Sequence, residues 1–110
     1  MFDMMNMLGK VKEVQAKMKQ AKENLVHVTA TGESGGGLIK ATVNGDRKVI
    51  KIEIDPDLIK KEDKEILQDL TVAAINIALT NVEEKIKEEF KKSTEGILPS
   101  LPGLDLSNLF

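Results

Sequence analysis

An α+β fold is what this sequence predicts, in the order helix, three-stranded antiparallel sheet, short helical turn and long helix. Three observations carry the prediction. Apolar residues recur at helical spacing through about residues 3–25 and again through about 63–95. Between those segments the period drops to two and β-branched residues dominate, the signature of strands. Short turns rich in Gly or Asn separate the strands, and three such strands in sequence make an antiparallel meander.

The first helix has a regular seam. Met4, Met7, Val11, Val14, Met18, Ala21 and Leu25 alternate spacings of three and four, as in a helix laid along a partner helix. Lys10, Lys12, Lys17, Lys19 and Lys22 all fall off that seam, opposed between residues 10 and 22 only by Glu13. Gly9 is the one weak point of the helix. Val26-His27-Val28-Thr29-Ala30-Thr31 then alternates as a strand, Gly32 to Gly37 reads as a loop, and Leu38 to Val43 reads as the second strand. Asn44-Gly45 predicts a tight turn because both residues tolerate positive φ. The third strand, about 47–54, sets Ile50, Ile52 and Ile54 on one face and Val49, Lys51 and Glu53 on the other. Asp55-Pro56 opens a helical turn, with Asp suited to the N-cap and Pro to the first helical position.

The second helix, about Asp63 to Glu95, is apolar almost all round from Leu70 to Leu79; beyond it only Val82, Ile86 and Phe90 recur, four apart. A helix of this length spans roughly 50 Å, against a radius of gyration of about 13 Å for a compact domain of about 100 residues. It must project or break, and its apolar middle needs more cover than one short sheet and one helix supply. A second copy of the chain answers both demands. The expected interface is Leu70, Ala74, Ile75, Ile77, Ala78 and Leu79.

Composition narrows the function. A chain of 110 residues with 41% apolar and 31% charged residues is globular. No apolar run reaches the roughly 18 residues of a membrane span, and the start of the chain does not read as a secretory signal. There is no Cys, Trp or Tyr, and His27 is the single histidine. No catalytic constellation and no metal or cofactor site is expected: His27 is isolated, Asp55 and Asp57 read as capping residues, and Gly35-Gly36-Gly37 lacks the Gly-Lys-Ser/Thr ending of a phosphate loop. A net charge of −2 hides an asymmetry: residues 1–54 carry nine Lys/Arg against six Asp/Glu, while residues 55–110 carry seven against twelve.

The run Thr31-Gly32-Glu33-Ser34-Gly35-Gly36-Gly37-Leu38-Ile39-Lys40-Ala41-Thr42-Val43-Asn44-Gly45 resembles the signature of the YbaB/EbfC nucleoid-associated family. So do Ile52-Glu53-Ile54-Asp55-Pro56, the run Asp63 to Leu70, and Ala73-Ala74-Ile75-Asn76. The likeness extends over about residues 4–95. It implies a domain over 1–95 followed by an apolar, Pro- and Gly-containing tail over 96–110. It also implies an intertwined homodimer with projecting helical arms that binds double-stranded DNA in the cytoplasmic nucleoid and affects nucleoid organisation and gene expression.

On that resemblance, Lys10, Lys12, Lys17, Lys19 and Lys22 are candidate phosphate contacts, where their ordinary reading is a solvated face. Lysine suits this role, being a flexible point charge that neutralises phosphate without reading bases. Lys91 and Lys92, at the tip of the second helix, join them if the arms reach DNA. They also stand among Glu83, Glu84, Glu88 and Glu89, a pattern that helix stabilisation explains. Lys40, Arg47, Lys48 and Lys51 read as sheet surface. Arg47 is the lone arginine, so bidentate reading of guanine has almost no candidate. The rival expectation is an adaptor for DNA-repair or replication proteins, docking through the tail and the acidic second half. The tail itself fits docking on the body or on a neighbour.

Overall fold

The computed structural model describes residues 4–94; the tail expected over 96–110 lies outside the described residues. The chain runs α1 (Met4–Asn24), β1 (Thr29–Ser34), β2 (Ile39–Asn44), β3 (Val49–Ile54) and α2 (Lys64–Thr94). Single 3₁₀ turns stand at Leu25–His27, Pro56–Leu58 and Lys61–Asp63. The expected α+β order is therefore present. The chain divides into two compact units, one holding α1 with the end of α2 from Lys87, the other being Leu25–Ile86.

The sheet is antiparallel throughout, in the order β1-β2-β3. Its inner face is buried through Ala30 and Gly32 of β1 and through Ile39, Ala41 and Val43 of β2. On α2 the buried residues are Ala74, Ala78, Val82, Ile86 and Phe90, each four after the last. The three-residue-spaced apolar positions of the helix stay more open. Fully burying Ile39, Val43, Val82 and Ile86 contributes about 1.5–3 kcal/mol each.

Two glycines set how closely elements of the sheet unit approach. Gly32, expected in a loop, is the fourth residue of β1, and a Cβ built there would fall on Ala78 N and Ala74 O of α2. A glycine inside a strand marks such a close approach. Ser34 Oγ donates to Leu70 O at 2.6 Å and fixes the same helix two residues further along the strand. Gly45 was expected to supply positive φ, and its reason is different. Its N–H donates to Leu25 O at 2.9 Å and to Val28 O at 2.8 Å, and a Cβ there would meet Leu25 O.

That contact also explains why β1 starts late. Val26-His27-Val28 has strand-like residues, but Leu25 O accepts from Val28 N and Gly45 N, which closes a 3₁₀ turn over Leu25–His27. The β2–β3 connection is four residues, Gly45 to Lys48, of which Gly45-Asp46-Arg47 form the loop closed by the Asn44–Lys48 hydrogen bond. Arg47 N donates to Asn44 O and Asn44 N to Lys48 O, both at 2.9 Å. Positive φ falls on Arg47 at 62°, the position where such hairpins favour glycine. The buried Asn44 holds the loop, its Oδ1 accepting from Asp46 N at 2.9 Å and from Lys48 N at 3.2 Å. At Asp55-Pro56 the expected cap is present, with Asp55 Oδ1 accepting from Asp57 N.

The two outer strands differ. Thr29 O and Thr31 O of β1 accept hydrogen bonds from Lys85 Nζ (2.6 Å) and Asn81 Nδ2 (2.8 Å) of α2. β3 has no residue buried on either face. Its isoleucines were expected to share one face. A bulge beside Thr42/Val43 shifts the register instead: Lys51 pairs with Thr42 and Val49 with Val43, so Ile50 is the extra residue.

Candidate nucleic-acid interface

α1 carries its five lysines on the surface. Lys10, Lys12, Lys17, Lys19 and Lys22 are all exposed, and none forms an ion pair among the described residues. The helix contains only Glu13 and Glu23 as acids, so its 21 residues have a local excess of positive charge. At about 100° per residue, Lys10 and Lys17 lie on one flank of the apolar seam and Lys12 and Lys19 on the other. Two rows of cations one heptad apart thus run along one rod about 31 Å long.

Several basic groups of the sheet unit are placed differently. Arg47 meets Glu83 through two hydrogen bonds, Nε to Oε1 and Nη2 to Oε2, the latter at 3.1 Å. The hydrogen bond that Arg47 donates to Glu83, outweighing partial burial, raises the guanidinium pKa further above its already high value. Lys51 pairs with Glu53 at 3.5 Å, Lys40 stands in register between Glu33 and Glu53, and Lys85 is committed to Thr29 O. Arg47, Lys51 and Lys85 are thus each answered by a carboxylate or a carbonyl, and Lys40 has a carboxylate residue in register on either side. An open depression of about 280 Å³ at this end of the sheet is lined by Glu33, Glu53, Asp55 and Lys40 among others. Its acidic balance disfavours an anion.

Lys91 and Lys92 are exposed in the last turn of α2, where cations also interact favourably with the helix dipole. Of the residues expected at a dimer interface, Ala74 and Ala78 are wholly buried inside one chain, against Gly32. Leu70, Ile75 and Leu79 are half-buried, and Ile77 is 42% exposed. Sequence reasoning did not mark several further apolar exposures, among them Ile50 at 53%, Ile59 and Val72. The signal available was the alternation of β3, which promises a covered face that a single chain does not provide.

Among the described residues, no group of three or more His, Cys, Asp or Glu is placed to hold a metal ion, and no helix is long and apolar enough to cross a membrane. His27 is exposed.

The helix–sheet–helix fold, with a lysine-faced helix that has no carboxylate partner among the described residues, suits a small nucleic-acid-binding protein. Its family is specific. The model of the YbaB/EbfC DNA-binding family matches residues 1–97, and the chain belongs to that family. It is 41% identical over 103 residues to a nucleoid-associated protein of Thermoanaerobacter pseudethanolicus, covering 94% of this chain and 91% of that one. A nucleoid-associated protein of Bartonella quintana is 46% identical over 101 residues, covering 91% and 94%. The crystal structure of an uncharacterized protein, HP0035, from Helicobacter pylori superimposes with a TM-score of 0.65 at 28% identity, covering 80% of this chain and 92% of that one.

Proposed function

We propose that this chain binds double-stranded DNA as a homodimer, mainly by phosphate contacts from Lys10, Lys12, Lys17, Lys19 and Lys22, and thereby organises the nucleoid and affects gene expression. The observation that carries the reading is the contrast between α1 and the sheet. Arg47, Lys51 and Lys85 are matched inside the chain, whereas the five exposed cations of α1 form no ion pair among the described residues. Lys91 and Lys92 are secondary contacts. Family membership supports DNA as the partner, and the names of the relatives support the nucleoid as the location.

The dimer is supported by what one chain leaves uncovered. β3 is exposed on both faces, and Ile50, Ile59, Val72 and Ile77 are all exposed. Large apolar residues left exposed on one chain in this number suit a surface that associates. Because Ala74 and Ala78 are already covered within the chain, Ile75, Ile77 and Leu79 of α2, together with β3, carry the contact with a second copy.

A salt titration of binding to a labelled 30-base-pair duplex, with a shuffled duplex as competitor, tests the function. If the dimer neutralises about six phosphates, log K falls with log salt at a slope of about −5, and both duplexes compete equally. No binding at low salt overturns the reading. It would favour a protein-docking role in which partners survive nuclease treatment.

A further inference from the structure

We propose that the C-terminal segment 95–110 of this chain docks along the apolar stripe of α1 and competes there with DNA; the competition rests on the DNA-binding reading above. The stripe is open at one end. Met7 is 52% exposed and Val11 51%, while Val14 and Met18 are half-buried and Ala21 is buried. At about 100° per residue, Met7, Val11, Val14 and Met18 fall within about 60° of one another. Lys10 and Lys17 border them on one side, and Lys22 borders them on the other. An apolar track rimmed by ammonium groups suits an apolar segment that carries carboxylates and no cation.

Residues 95–110 have that composition. They contain Ile97, Leu98, Leu101, Leu104 and Leu106 with Glu95 and Asp105, and no Lys or Arg. Pro99 and Pro102 disfavour a continuing helix. The segment departs from the end of α2, which belongs to the same compact unit as α1. Sixteen residues reach at most about 55 Å, so the whole of α1, about 31 Å long, is within range. The uncovered apolar residues of β3 and mid-α2 belong to the other unit. A segment seated on the stripe lies between the two lysine rows and places carboxylates where phosphates would otherwise go.

The test compares the full chain, a chain ending at Thr94, and the full chain carrying Leu101→Ser with Leu104→Ser. Methyl resonances of labelled methionines report the stripe through Met7, sedimentation reports the oligomeric state, and a 30-base-pair duplex reports binding. A segment docked about four-fifths of the time leaves one-fifth of the molecules competent, so removing it tightens DNA binding about fivefold. The expected result is a moved Met7 resonance and this gain in both variants, the oligomeric state unchanged, with a synthetic 95–110 peptide reversing the effects of truncation. An unmoved Met7 resonance in both variants overturns the proposal. So does loss of the dimer on truncation, because the segment then belongs to the contact between copies. If no variant binds duplex at low salt, the DNA-binding reading and the competition fail together, and the Met7 resonance alone decides docking.

Discussion

Replacing Gly32 with Ala tests the closest contact in the molecule. A Cβ at this position coincides with Ala78 N and Ala74 O and lies 2.9 Å from Ile77 C, all backbone atoms of α2. A favourable carbon contact needs about 3.5–4.0 Å, so the helix must withdraw by about 1 Å or more. A crowded side chain could rotate away, but a helix backbone cannot. Overpacking typically costs about 1–3 kcal/mol; with rigid atoms on the far side, the expected cost is about 3 kcal/mol. For a domain of this size that lowers Tm by roughly 12–24 °C. Gly36→Ala is the control. Gly36 has open space around it but a φ of 69°, so only backbone strain of about 1 kcal/mol is expected. Far-UV circular dichroism melts at one protein concentration measure both, since association makes Tm concentration-dependent. A Gly32→Ala melt no lower than that of Gly36→Ala refutes the idea that this glycine sets the helix–sheet distance.

Four further outcomes are expected. Gly9→Ala, at a helical position with nothing within 4 Å, raises stability by about 0.5–1 kcal/mol, read in the same melts. Arg47 and Glu83 side chains are 44% and 38% exposed, so a double-mutant cycle in urea gives a coupling of about 0.5 kcal/mol; several kcal/mol would contradict the screening argument. Changing Lys12, Lys17 and Lys19 together to Ala weakens duplex binding and flattens its salt slope by about 3 per α1 engaged, with Tm nearly unchanged. Equal affinity for the triple variant and the parent dismisses the α1 face. Ile77→Asp places a carboxylate at a residue exposed in one chain and assigned to the proposed contact between copies, so on that reading sedimentation shows monomers; an intact dimer moves the contact elsewhere.

Local pattern made some of this fold legible and hid the rest. The seam of α1, the long α2 and the order of the three strands follow from periodicity, which is a property of neighbouring residues. The edges of β1 do not. Val26 and Val28 read as strand, yet the turn at Leu25 is closed by Gly45, twenty residues on. Gly32 reads as loop, yet it lies in a strand because α2 passes over it. The candidate site divides in the same way. The positions of the α1 lysines off the seam are visible in sequence. That Arg47 is held by Glu83, and Lys85 by Thr29, is not, since those partners lie 36 and 56 residues apart. Only the folded chain separates cations with internal work from cations without it.

The hydrogen bonds from Asn81 and Lys85 to Thr31 O and Thr29 O have a consequence for assembly. A sheet with two open edges can take a neighbour on each side, and successive copies then extend without limit into a fibre. Here two carbonyls of the β1 border are occupied by the chain's own helix, which disfavours strand addition on that side. Two copies that met through β3 would each turn this obstructed border to the solvent. The same two side chains that hold α2 in place would therefore oppose growth beyond two.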